Sequence, residues 1–317
     1  MAQSHQRTVA EVGEFGLIDA VQPKFHQGSD VVVGPGDDAA VLTVPSGQVV
    51  VSTDLLVENK HFRRDWSSAE DIGHKAAAAN LSDINAMGGT ATGMVLGLGV
   101  PGTLAMDWVD ELARGVADEV AITGTSVLGG DVTSSEHILL SVTVLGSCPD
   151  GLVLRSGARP GDVLAVCGRV GWSAAGYHVL GRGFRSPRVV VEAHRRPEPP
   201  YTAGPQAARL GATAMIDLSD GLLADVGHIA EASGVAVDVR TAAFDLAEPL
   251  HAVGSALGVD PMRYVLTGGE DYALAATFPA DVALPKEWTA VGEVAEGRGV
   301  TVDGQEYDAA RGYQHFR

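Results

Sequence analysis

The chain is poor in cysteine and in basic residues, and each shortage closes off a class of protein. Its 317 residues include two cysteines, Cys148 and Cys167. That is too few for a disulfide framework or a cysteine zinc site, and it predicts buried free thiols in a reducing compartment. Lysine and arginine number 22 against 40 aspartates and glutamates, a formal net charge of −18. No basic cluster stands ready to neutralise phosphates, so a nucleic-acid surface is excluded. No run of 18 apolar residues occurs, hence no membrane span is expected. The opening "MAQSHQRTVAEVGEFGLIDAV" lacks the apolar core of a signal peptide, and a cytoplasmic protein is expected. Familiar catalytic signatures are missing too: no G-x-x-x-x-G-K-[ST] loop, no G-x-S-x-G elbow, no H-x-x-x-H pair, no C-x-x-C. One G-x-G-x-x-G match, "GLGVPG" (97–102), puts Pro101 where a phosphate would need an amide donor, which argues against dinucleotide binding.

What is present is a globular composition, 45% apolar and 20% charged, long enough for two domains. Strand-like and helical patterns alternate. Strands are predicted at 48–53, 92–100 and 138–146, and helices at 69–89 and 103–121, the latter with Leu104, Trp108, Leu112, Val116 and Val120 inward. The turn-rich stretch 148–162 marks a boundary, giving expected domains 1–150 and 151–317. The second half continues with strands at 163–168, 212–217 and 235–240, helices at 172–181, 220–232 and 247–257, and closing strands near 272–278 and 289–294. "EAHRRPEPPYTAGP" (192–205) reads as an irregular connection.

Acids recur beside glycines, serines and threonines. On the helical wheel Asp83 lies with Ile72, Ala76, Ala79 and Met87, opposite a solvated face of Asp71, His74, Lys75, Ser82 and Asn85. A carboxylate on an apolar stripe costs several kcal/mol unless paired or metal-bound. An ion pair with a distant arginine and a ligand role both answer that. Asp54 is expected at the end of its strand beside Ser52 and Thr53, where it is either a turn cap or part of a hard-oxygen donor set. Asp37 and Asp38 are adjacent, and at ~4 Å in an effective dielectric of ~20 their repulsion is about 4 kcal/mol without a cation between them. "GGDVTSS" (129–135) reads as a loop open to close approach. Ser219 and Asp220 either cap the helix that follows or bind a ligand; Asp217, at a strand end, favours a ligand. Glu270 and Asp271 follow two glycines in the same manner.

Each signal is weak alone, but their order is specific. "GDDAAVL" (36–42), "STDLLVENKHF" (52–62), "NLSDINAMGG" (80–89), "GGDVTSS", "LRSGARPGD" (154–162), "IDLSDGL" (216–222), "TGGEDYAL" (267–274) and "GYQHF" (312–316) form one series. It closely resembles the thiamine-monophosphate kinase family of the aminoimidazole-ribonucleotide-synthetase-like superfamily, over essentially the whole chain. The resemblance implies an α+β fold of two α/β domains, with the N-terminal sheet forming the interface of a homodimer. It implies ATP as co-substrate, thiamine phosphate as acceptor and several Mg2+ ions. Carried over residue by residue, Asp38, Ser52, Thr53, Asp54, Asp83, Asp131, Asp217 and Asp220 match metal positions, with Asp54, Asp83 and Asp131 at the chemistry. Gly130, Asp131, Arg155 and Ser219 match nucleotide positions, and His61, Glu270 and Tyr313 match positions that hold thiamine phosphate. The chain departs from the expected pattern in having no tyrosine before Tyr177 to pack on adenine. A first cysteine as late as Cys148 argues against the selenophosphate-synthetase branch.

Overall fold

Two kinds of strand can be told apart by their apolar pattern. "LLSVTVLGS" alternates, as a strand covered on one face does, whereas "LAATF" is apolar at all but its threonine, as a strand covered on both faces is. A computed structural model describes residues 7–33, 41–44, 47–307 and 312, and the two kinds of strand fall in two compact units. The first comprises residues 1–84 and 90–147, the second 85–89 and 148–317.

In the first unit, α1 (Val9–Val21) is followed by a short antiparallel pair, β1 (Val31–Val33) and β2 (Val41–Leu42). A four-stranded sheet then runs in the order β3 (Val50–Val57), β6 (Leu139–Ser147), β4 (Thr90–Val100), β5 (Ser126–Ser134), so β3 and β5 are its edges. All neighbours are antiparallel except β4 and β5. Along β6, Leu140, Val142 and Val144 are buried, while Ser141 and Thr143 turn to the other face. Helices α2 (Ala69–Ala86) and α3 (Met106–Thr123) follow β3 and β4. α2 covers the apolar face, its Ile84 lying where a side chain at Gly146 of β6 would have to sit.

α2 departs from the expected two-faced helix: Asp71, Lys75, Ser82 and Asn85 are 6%, 3%, 0% and 2% exposed. These four buried groups have partners, as burial requires. Asp71 accepts from Ser68 N (2.9 Å) while its own amide donates to Ser68 Oγ (3.1 Å), a capping box. Asn85 donates to Pro200 O (3.0 Å) and accepts from Gly204 N (2.9 Å), so Asn85–Gly89 group with the second unit. On α3, Val109 is buried in place of the expected Trp108. "GGDVTSS" is also not a loop: its first six residues belong to β5, and Gly130 is needed because a Cβ there would run into the Leu96 carbonyl of β4.

The second unit is built on a seven-stranded sheet, among the described residues, in the order β13-β12-β9-β11-β7-β10-β8. Its strands are β7 (Val163–Cys167), β8 (Ala214–Asp217), β9 (Ala236–Val239), β10 (Leu274–Phe278), β11 (Trp288–Ala295), β12 (Gly299–Val302) and β13 (Gln305–Glu306). Only β9 and β12 pair in parallel. One apolar layer joins Leu164, Val166 and Ile216 to Leu223, Val226 and Ile229 of α7 (Leu222–Ser233). The opposite layer joins Met215, Leu274 and Phe278 to Ala203 and Ala207 of α6 (Ala203–Leu210). Around them lie α4 (Trp172–Gly181), α5 (Arg188–Arg195), α8 (Glu248–Leu257) and α9 (Pro261–Thr267). α5 and α6 take up the two ends of the stretch expected to be an irregular connection at 192–205, and 196–202 stays irregular; α5 buries Val190, Val191, Ala193 and His194 on one side of two helical turns.

The α2–α3 contact rests on two glycines. A methyl added at Gly115 would meet the Glu70 carbonyl, and one at Gly73 the Leu112 carbonyl. Gly115→Val is therefore expected to lower the unfolding free energy by about 2–3 kcal/mol, read as a lower urea midpoint. An unchanged midpoint would show that the helices are not so closely set.

Candidate functional site

In the first unit, Ser52 Oγ donates to Asp83 Oδ2 at 2.6 Å, joining β3 to the helix above it. This places the Asp83 carboxylate beside a hydroxyl on the covered face. Asp54 lies inside β3 rather than at its end: the strand continues to Val57, with Asp54 opposite Val142 and Ser52 opposite Val144. Two-residue periodicity therefore sets Asp54 on the same face as Ser52. Thr53 faces the other way, where its Oγ1 donates to Val142 O (2.9 Å) and lies 3.0 Å from Thr143 Oγ1.

Gly130 and Asp131 are on the opposite edge. Asp131 is level with Gly97 of β4 and, through it, with Ser141 of β6, which assigns its exposed side chain to the face of Thr53. Three strand spacings, roughly 14 Å, separate β3 from β5. One sheet alone does not bring Asp131 to Asp54 and Asp83.

His61 sits in the turn after β3. Its amide donates to Val57 O (3.0 Å), and its Nδ1 accepts from Val57 N (2.9 Å). Because Nδ1 accepts, the neutral ring carries its proton on Nε2. Asp37, Asp38 and Tyr313 lie outside the described residues. Glu70, His74 and Asp118, with ligand atoms within 4.8 Å of one another, form a separate group that the sequence reading did not single out. Two of its members have partners outside the group: His74 Nδ1 is 2.9 Å from Glu119, and Glu70 is 3.8 Å from Arg114.

In the second unit, Asp217 ends β8, buried and level with Leu274 of β10. The loop that follows is sewn to the loop preceding β10, since Glu270 N donates to Ser219 O (2.8 Å) and Tyr272 N to Leu218 O (3.0 Å). Gly269 is required there, for a Cβ would strike the Ser219 carbonyl. Glu270 and Tyr272 adopt left-handed backbone angles, φ 63 and φ 52. Such conformations cost on the order of 1–3 kcal/mol each and gather at functional loops.

Two buried acids hold this pair of loops. Asp225, in the first turn of α7, accepts from Gly221 N (2.9 Å) and Asp220 N (3.1 Å). Gly221 occupies the N-cap and supplies no side chain. Asp225 thus takes on the capping that was one of the two roles open to Ser219 and Asp220. Asp271 accepts from Gly171 N (2.5 Å) and Ser173 N (2.8 Å) at the start of α4. Burial pushes both carboxyls up to about 7, against the lowering pull of those amides. The sequence reading missed Asp225; its spacing of four residues after Gly221 was the available signal. Arg155 is exposed, and its carbonyl accepts from Ser233 Oγ (3.2 Å), which also receives the amides of Gly157 and Ala158 at 3.1 Å. Burial likewise raises the Cys167 thiol to about 11; both cysteines are free, as expected, but Cys148 is only half-buried.

Residues 36–148 match the family described as AIR synthase related protein, N-terminal domain. Over 313 residues the chain is 45% identical to the thiamine-monophosphate kinase of Mycobacterium tuberculosis, covering 98% of this chain and 93% of that one. A crystal structure of thiamine-monophosphate kinase from Stenotrophomonas maltophilia K279a is 32% identical with a TM-score of 0.82, covering 96% of this chain and all, 100%, of that one. A structure described as AaThiL complexed with AMPPCP and TMP is 33% identical with a TM-score of 0.81, over 99% of this chain and 100% of its own.

Asp225 and Asp271 are carboxyls with raised folded-state values, so the stability they contribute is complete below pH about 4 and is lost as pH rises through about 7. Asp271→Asn removes one of these titrations. Wild-type unfolding free energy minus that of the variant is expected to fall between about pH 4 and about pH 7 in urea titrations. A difference that stays flat over this range would show that Asp271 is ionised throughout.

Proposed function

This chain belongs to the thiamine-monophosphate kinase family, and from that membership we propose that it transfers the γ-phosphoryl group of ATP to thiamine phosphate, giving thiamine diphosphate and ADP. The observation that carries the reading is full-length similarity at 45% identity. A relative holding AMPPCP and TMP together supports the pairing of a nucleotide with this acceptor.

The acceptor is a phosphate monoester, already largely ionised near neutrality, so no general base has to create the nucleophile. An acceptor phosphate oxygen forms the new bond to the γ-phosphorus as the β–γ bridging bond breaks in line, and its electron pair leaves with ADP. The difficulty is charge: the two reactants bring about six negative charges to a chain of net charge −18. The donor set is all oxygen, as in the Ser52–Asp83 pair, and oxygen donors fit Mg2+ better than zinc. Asp38, Ser52, Thr53, Asp54, Asp83, Asp131, Asp217 and Asp220 are the residues assigned to hold several such ions. When bound, Mg2+ neutralises phosphate charge and keeps the reacting oxygens in line. Gly130, Arg155 and Ser219 serve the nucleotide, Arg155 as a planar fork on its phosphates. His61 offers its Nε2 proton to the acceptor phosphate, Glu270 faces the cationic thiazolium, and Tyr313 stacks on it. A cytoplasmic location suits an enzyme that draws on ATP, and among the described residues no helix is long and apolar enough to cross a membrane.

The same reading includes a homodimer formed through the first unit's sheet. Its uncovered face exposes Val51 (57%), Leu55 (56%) and Val95 (37%). Setting β5 of one protomer against β3 of its partner would bring Asp131 to the strand that carries Thr53 and Asp54, on the face of Thr53.

Purified protein with Mg-ATP and thiamine phosphate is expected to form thiamine diphosphate, and absence of product would overturn the activity. Asp54→Asn and Asp131→Asn are each expected to slow transfer by about 1000-fold with an unchanged unfolding midpoint; wild-type rates in either would remove that residue from the metal set. Co-expressing the two inactive variants is expected to restore roughly a quarter of wild-type activity, because half the dimers then carry one intact shared site. No recovery would mean that each chain holds a complete metal set by itself.

A further inference from the structure

The backbone of Glu270 is fixed by Ser219, but its side chain needs support of its own. It finds that support on α5. His194 is 5% exposed, and its Nδ1 lies 3.4 Å from Glu270 Oε2 and 3.1 Å from Ser173 Oγ. Ser173 is in turn tied through its amide to the buried Asp271, at 2.8 Å. The contacts close a ring: Glu270 to His194, His194 to Ser173, Ser173 to Asp271, and Asp271 back to Glu270 along the chain. Tyr177, one helical turn after Ser173, stands edge-on to the imidazole with centroids 5.7 Å apart. A histidine buried only to fill space would be satisfied by Ser173. This one also meets a carboxylate that remains 32% exposed on a loop held in left-handed backbone geometry.

We propose that His194 is a positioning residue that aims the Glu270 carboxylate at the cationic organic half of the acceptor. The proposal rests on the acceptor assigned above. It follows that His194 sets the affinity for that acceptor and leaves the ATP site alone, although it touches neither substrate. Tyr177 limits rotation of the imidazole and so serves the same end.

Steady-state kinetics of His194→Gln, with each substrate varied separately, test this. The KM for thiamine phosphate is expected to rise about tenfold while kcat and the KM for ATP stay within about twofold. The His194→Gln, Glu270→Gln double variant is expected to be no worse than Glu270→Gln alone, since the first residue acts through the second. Equal rises in both KM values together with a lowered unfolding midpoint would indicate packing alone and overturn the proposal, as would an unchanged KM. If His194→Gln fails to fold, Ser173→Ala, which removes the imidazole's other partner, is expected to raise the same KM by a smaller factor, and no rise would overturn the proposal. A wild-type protein that makes no thiamine diphosphate sinks the activity reading and this one with it. An active wild type whose variants keep their KM sinks this one alone.

Discussion

Two backbone hydrogen bonds, Glu270 N to Ser219 O and Tyr272 N to Leu218 O, join the loops at one end of β8 and β10. Much of the second unit's candidate site depends on them. The strands are antiparallel neighbours, so their loops start side by side. The two bonds, with Gly269 pressed against the Ser219 carbonyl, turn proximity into fixed register. Each such bond is worth about 1 kcal/mol net, of the same order as one left-handed residue costs. The strain at Glu270 and Tyr272 therefore persists only because Asp225 and Asp271 secure the same loops from the helix side. Removing any one of these supports loosens Ser219, Asp220 and Glu270 together.

Burial divides the chain's many acids into two kinds. Asp225 and Asp271 are enclosed, accept backbone amides, and are held near neutral pH by desolvation, so they add less than a full negative charge each. Asp54 and Asp131 are exposed and face the solvent from which a cation would come. A carboxylate can order a loop or attract an ion, but the low dielectric that strengthens its hydrogen bonds also penalises its charge. Keeping the two duties on separate residues avoids that conflict.

Strand type and most helices were legible from the spacing of apolar residues, because covering one face or two leaves a direct imprint on sequence. The acidic motifs were legible as a series for a different reason: glycine, hydroxyl and carboxylate together serve burial poorly. Position was harder. Asp54 reads as a strand end because a charge interrupts the apolar run, yet an edge strand tolerates it. "GGDVTSS" reads as a loop because glycine has two uses, and only the closeness of Leu96 reveals the second. The helix α5 is masked by the Arg/Pro-rich stretch that starts in its last turn. Asp225 and His194 were not legible, since their meaning comes from loops brought to them by tertiary structure.

The edge positions of Asp54 and Asp131 carry the last step. Ligands of one Mg2+ sit about 2 Å from it, so two that share an ion lie within about 4 Å of each other. A flat four-stranded sheet keeps its edges more than three times farther apart, and twist does not close so few strands on themselves. If both acids serve one ion, the missing distance must be made up by another edge. The uncovered face offers a reason for that edge to come from a second copy: Val51, Leu55 and Val95 gain roughly 25 cal/mol for each Å2 taken out of water. Edge-to-edge pairing would also add backbone hydrogen bonds along β3 and β5. In the homodimer proposed above, joining both edges of each sheet to the partner's would enclose that apolar face and bring Asp131 to the partner's β3.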